Sequence, residues 1–156
     1  MPKLEIKWGL IFVATALAWM LLERLAGLHD AHIEKHPYLT SLFAIPAITL
    51  YVLALRAKRA ELGGSMTWGQ GFKAGMLITA LVTVLSPLTQ WVTSHIITPD
   101  FFKNAIEASV RLGKMDQAQA EAYFNYGSYV KQGLIGAVVM GTLTSALTAL
   151  FIRKKT

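Results

Sequence analysis

Four long apolar stretches dominate this chain, at residues 8–28, 38–55, 74–97 and 132–152. Each approaches the about 20 residues that a helix needs to cross the roughly 30 Å hydrocarbon core of a bilayer. Residues 74–97 and 132–152 contain no charged side chain, whereas a surface helix of a soluble protein carries a polar face at 3.6-residue spacing. The apolar share of 54% would not decide the matter alone, because soluble domains reach about 45–50%. The clustering does decide it. The expected fold is an all-α membrane protein in one domain over residues 1–156. It has four transmembrane helices and an external amphipathic helical cap, residues 98–131, between spans three and four.

Charge sets the threading. Lys3 and Lys7 precede span one, Arg56, Lys58, Arg59 and Lys73 lie between spans two and three, and Arg153, Lys154 and Lys155 close the chain. In a four-span protein these three regions share one side, which the positive-inside rule assigns to the cytoplasm. Bases on the other side are mixed with Asp100, Glu107, Asp116 and Glu121. Both termini are therefore expected in the cytoplasm of a bacterium, with the chain in its inner membrane. Lys3 and Lys7 followed by an apolar run resemble a signal peptide, but no small-x-small cleavage site follows, so the first span is expected to be retained. The net charge of +6 is distributed beside the spans and forms no patch, so nucleic acid is not an expected partner. The absence of cysteine excludes disulfides, a thiolate nucleophile and a Cys-based zinc site.

Local signals mark the connections. Span two is short, with Pro46 in its middle, and span three contains Pro87; both are read as kinks or hinges. Gly63-Gly64 reads as a helix stop, and Trp68 and Phe72 share a helix face suited to the headgroup level. In the cap, Thr98 before Pro99 reads as a helix N-cap, Phe102, Ile106 and Val110 as the apolar face, widened by Phe101 and Ala105, and Gly113 as the stop. Asp116 with Gln119 has the capping-box spacing for a second helix carrying Tyr123, Tyr126 and Tyr129 towards span four.

Few residues suggest chemistry. Gly133, Ala137, Gly141, Ser145 and Ala149 repeat every four residues, a ladder that lets helices approach closely in lipid. It serves either internal packing or a homodimer. Thr79, Thr83, Ser86 and Gln90 form a polar stripe on span three, either lining a small cavity or acting as hydrogen-bonding glue. Glu23 and Arg24 are the ionisable pair nearest the membrane interior. Arg24 can snorkel outward, while Glu23 lies level with Gln90, each roughly 7 Å outward from its span's centre at about 1.5 Å per residue. Glu23, Arg24, Gln90, Thr83 and Ser86 are thus the ligand-site candidates. His29, His32 and His36 crowd the first external loop, and the four-residue spacing of His32 and His36 permits a metal on a helix. Pro37 follows at once, so a wet polar loop is expected and no metal or cofactor is assigned.

Lys7-Trp8-Gly9-Leu10-Ile11-Phe12, then Gly63-Gly64 leading to Gly69-Gln70-Gly71-Phe72 with Gly75, and finally Ile97-Thr98-Pro99-Asp100-Phe101, carry a resemblance. At these points the chain resembles a family of small bacterial multi-pass membrane proteins, a domain of unknown function common in Bacteroidetes. Where such relatives often have an aspartate before the Pro-Asp pair, this chain has Thr98. The resemblance implies four helices and an inner-membrane location, and supplies no activity. No converging acid–base pair is evident. The expected function is therefore non-enzymatic binding of a lipid, a small ligand or another membrane subunit. The alternative is a small transporter or channel, assembled as a homo-oligomer, with a polar site between spans one and three.

Overall fold

The computed structural model describes residues 3–154, and all four apolar stretches are helical. Lys3–Leu25, Ile33–Glu61, Trp68–Ile97 and Tyr126–Ile152, 23, 29, 30 and 27 residues long, are each long and apolar enough to cross a membrane. Among the described residues there is no β-strand. Lys155 of the basic tail lies outside the described residues.

Helix α1 is Lys3–Leu25. Span two opens with a 3-10 turn, the four-residue α2 (His36–Leu39) and a second 3-10 turn, Thr40–Phe43, before α3 (Ala44–Glu61). Pro46 is therefore the third residue of α3 and not a mid-helix kink as the sequence suggested. At that position its missing N–H belongs to the set a helix leaves unpaired anyway. Gly63, at φ +81, ends α3 in the left-handed region that glycine enters without a Cβ penalty. Gly64 N–H donates to Arg59 O and Gly63 N–H to Ala60 O, closing a Schellman motif.

Thr67 caps α4 (Trp68–Val92) in a reciprocal box with Gln70, a device worth about 1 kcal/mol. Pro87 lies inside this helix, and a proline there frees the carbonyl four residues back. That carbonyl belongs to Thr83, and the Ser86 hydroxyl donates to it at 2.9 Å. The helix so crosses its proline without exposing an orphan acceptor to lipid. A π-helical turn, Thr93–Ile97, follows, with Thr98 N–H donating to Thr93 O at 2.8 Å.

The cap consists of α5 (Phe101–Arg111) and α6 (Gln117–Tyr123). Asp116 and Gln119 form the expected capping box, and the chain turns at Gly113. Three details differ from expectation. Thr98 does not cap α5, because its backbone is engaged in closing the π turn, and the N-cap position is Asp100. The buried face of α5 is Phe101, Ala105 and Ala108, rotated from the Phe102–Ile106–Val110 line, and Val110 is exposed. Finally, α6 ends at Tyr123, and Asn125 caps α7 (Tyr126–Ile152), so Tyr126 and Tyr129 belong to the last span.

The most extensive pairing is α4 with α7, followed by α1 with α4. Half of the small-residue ladder explains it. A Cβ on Gly141 would lie 2.5 Å from Thr79 Cγ2, and one on Gly75 would lie 2.5 Å from Ser145 Oγ, so only glycine fits at either crossing. Close backbone approach of this kind drives helix association where lipid removes the hydrophobic difference. The other half does not pack this way. Gly133 is exposed, and a Cβ added there would meet nothing within 4 Å, while Ala137 is half-buried.

At the end carrying the N-terminal residues, Glu5, 2% exposed, pairs with Lys58 of α3 at 3.2 Å. Arg59 donates to the Ile152 carbonyl at 3.0 Å, and Met66 and Lys154 exchange backbone hydrogen bonds. The start of α1, the loop before α4 and the end of α7 therefore meet at one end of the bundle. Trp68 and Phe72 stack there at 4.9 Å.

Candidate functional site

The opposite end holds the other buried carboxylate among the described residues. Glu23 lies in the last turn of α1 and is 3% exposed. Gly27, at φ +74, reverses the chain just beyond it, with Leu28 N–H donating to Glu23 O and Gly27 N–H to Arg24 O. This Schellman turn folds His29 back beneath Glu23. The 3-10 turn and α2 then return His36 to the same place. His29 Nε2 lies 3.2 Å and His36 Nε2 3.4 Å from one carboxylate oxygen, Oε2. The other oxygen, Oε1, accepts from Trp19 Nε1–H at 2.5 Å. Trp19 and Glu23 are the four-residue pair visible in the sequence.

The cap covers this cluster. The Phe101 ring sits 5.3 Å from the His29 ring and 5.1 Å from that of His36, and Asn104 of α5 donates to the His29 carbonyl at 2.9 Å. His29 is 3% exposed, and its Nδ1 is buried without a partner. The loop is wet only in part: Asp30, His32, Glu34 and Lys35 are exposed as the sequence suggested, while cover from Phe101 and the return of the chain at Gly27 bury His29 and half-bury His36. His32, whose spacing from His36 drew attention, is exposed and stands apart; the converging pair is His29 and His36, seven residues apart.

Beside the cluster lies a chamber of about 270 Å³, lined by His29, His36, Thr40, Gln90, Phe101 and Tyr129 among others. A second trough of about 220 Å³ runs along α1 past Ala16, Leu17 and Phe43 and shares Met20, Thr40, Gln90 and Thr93 with the first. The two adjoin at these shared residues, and both are mainly apolar, with the histidines at the cap end.

The sequence candidates separate on this geometry. Glu23 anchors the cluster, and Gln90 lines both spaces while donating to Ser94 at 2.8 Å. Glu23 itself lines neither space; His29 and His36, its partners, connect it to the chamber that Gln90 borders. Arg24 is exposed, and the partners of Glu23 are Trp19 and the two histidines. Thr83 and Ser86 line neither space, and the Ser86 hydroxyl is occupied with the carbonyl that Pro87 frees. The Thr83 hydroxyl is buried without a partner.

Phe101 and Tyr129 carry no site signal in the sequence, and His29 stands out there only as one of three crowded loop histidines. Gly27, four residues past Glu23, is the readable clue that the chain doubles back there. The lower polar stripe is glue. Thr79 donates to Gly75 O at 3.0 Å, Ser145 donates to Gly141 O at 2.6 Å, and Tyr51 Oη lies 2.8 Å from Thr79 Oγ1.

Comparison with curated proteins and with solved structures finds no match. The model of one family, described as a protein of unknown function (DUF4199), matches residues 7–154. That span takes in all four membrane helices, the cap, and the Glu23–His29–His36 cluster, and the chain belongs to the DUF4199 family.

Proposed function

We propose that this protein is a non-enzymatic multi-pass membrane protein that binds one amphipathic lipid-like molecule between spans one and three, under the external cap. The observation that carries this reading is the pair of adjoining spaces. Both are mainly apolar, one running along α1 and the other reaching the histidines under the cap, and Thr40, Gln90 and Thr93 line the two alike. The apolar lining suits a lipid tail and the polar groups suit a hydrogen-bonding headgroup, as in most binding pockets, where a few polar groups fix orientation within an apolar cavity.

Native mass spectrometry of the detergent-solubilised chain tests it. One lipid-mass adduct is expected to survive gas-phase activation that strips annular lipid, and Thr93→Trp, which fills the shared part of the space, is expected to remove it. A bare wild-type chain, or equal retention by the filled variant, would sink the proposal.

With this reading goes a topology in which both termini lie in the cytoplasm and the spans cross the bacterial inner membrane. Its support is the basic end, where Lys58, Arg59, Arg153 and Lys154 gather beside the start of α1. Because the chain has no cysteine, single-cysteine labelling reads this directly. In intact cells an impermeant maleimide should label Lys114→Cys in the cap and spare Leu62→Cys; the reverse pattern would invert the topology.

A further inference from the structure

We propose that Glu23, His29 and His36 bind a divalent transition-metal ion of the zinc class. Two imidazoles and one carboxylate form a ligand set suited to such ions. Their candidate ligand atoms all lie within 4.8 Å of one another, with two of the three residues buried and the third half-buried.

The spacing suits ligation as well as hydrogen bonding. Charge-assisted N–H···O bonds run at about 2.7–2.9 Å, and the two here are 3.2 and 3.4 Å. In a tetrahedral site with bonds of about 2.0–2.1 Å, neighbouring ligand atoms stand about 3.3 Å apart. Both Nε2 atoms converge on a single oxygen, and the three ligand atoms lie within 4.8 Å of one another, so rotation of the imidazoles about their side-chain bonds is enough to bring all three to one ion. The indole N–H of Trp19 holds the other carboxylate oxygen, the kind of outer partner that fixes a ligand's orientation. Nδ1 of His29 is left to carry the ring proton.

Three protein ligands leave a fourth position. His29 and His36 both border the chamber, so that position opens towards it, as in zinc sites that keep one exchangeable ligand. His32 and the exposed acids of the loop, Asp30 and Glu34, are not in the cluster. The site shares His29 and His36 with the space proposed for the lipid, but its three ligand atoms all come from the chain, so it can exist whether or not a lipid occupies the trough.

The test uses the full chain in detergent, delipidated and stripped with a chelator, then titrated with Co²⁺ alone. One equivalent is expected to give the visible absorption bands of a four-coordinate ion, and Zn²⁺ should displace them. His36→Asn, at a half-buried position, and Glu23→Gln, which keeps side-chain shape, should each lose the bands. His32→Ala should keep them. Thermal unfolding of each variant separates loss of a ligand from loss of the fold. No saturable Co²⁺ binding by the wild-type chain overturns the proposal irrespective of how the variants fold. So do bands that persist in a folded Glu23→Gln or His36→Asn, or bands that vanish in a folded His32→Ala. Because the protein is delipidated, a negative result here leaves the lipid proposal standing, and a failed lipid assay leaves this one standing.

Discussion

The two ends of the bundle are built on different principles. Towards the end holding Glu5 and Lys58, α4 and α7 touch through glycine. Gly75 and Gly141 face Ser145 and Thr79 with no room for one added methyl group, and Gly71 sits tightly against Met66 and Ala149. Tyr51, Thr79 and Ser145 link three spans through buried hydroxyls, and apolar clusters around Leu55 and Ile78 fill the rest. Towards the cap end, the glycine contacts stop. Gly133 and Gly136 meet nothing, α4 carries Pro87 and is followed by a π turn, and space opens beside α1. One end is a rigid joint and the other a container. The difference teaches where binding can reside, since a site needs volume that a glycine-sealed seam does not leave.

The strongest way to break this comparison is to add one methyl group at the seam. Gly141→Ala forces its Cβ to within 2.5 Å of Thr79 Cγ2. Thr79 cannot simply rotate, because its hydroxyl is engaged with Gly75 O and Tyr51. Overpacking a well-filled site costs about 1–3 kcal/mol, and unfolding in detergent should show a loss of that size. An unchanged melting temperature would mean that the seam is looser than the contacts indicate.

Much of this contrast is legible in the sequence, unevenly. The four spans, the ladder, the Gly63-Gly64 and Gly113 stops and the Asp116–Gln119 box follow from local rules that depend on neighbours within one helical turn. The sequence does not reveal where the ladder stops packing, because that depends on which turns of α7 meet another helix, a tertiary property. Nor can it bring His29 and His36 to Glu23. Loop residues acquire partners through chain reversal at Gly27 and through cover supplied by Phe101 from a distant segment, and neither leaves a periodic trace. The buried Glu5–Lys58 pair is hidden for the same reason: Glu5 reads as part of a charged N-terminal flank, and its partner lies in another span. Pro46 misleads because the position of a proline within a helix matters more than its presence, and the helix starts later than hydropathy suggests.

A smaller effect probes the polar glue at the joint. Thr79 spends its one hydroxyl proton on Gly75 O, so Tyr51 must be the donor in the Tyr51–Thr79 bond. Tyr51→Phe removes that donor and leaves the ring in place. Side-chain hydrogen bonds between membrane helices average about 0.6 kcal/mol, and a loss of about 1 kcal/mol or less is expected in the same unfolding assay. A much larger loss would show that the hydroxyl network, and not the glycine contacts, holds the joint.

The smallest expected effect has the opposite sign, and it makes the sharpest test. Gly133→Ala is the same chemical change as Gly141→Ala, on the same helix, two ladder steps away. Here the added methyl meets nothing within 4 Å, so no overpacking opposes it. What remains is the backbone term: alanine loses less conformational freedom than glycine on entering a helix, by roughly 0.5–1 kcal/mol in water. Gly133→Ala should therefore raise the unfolding midpoint slightly while Gly141→Ala lowers it. If Gly133→Ala also destabilises, and does so more at higher protein concentration in the detergent micelle, the outer half of the ladder is a contact with a second copy of the chain. The container end would then be closed by a neighbour, and the space beside α1 would belong to a dimer.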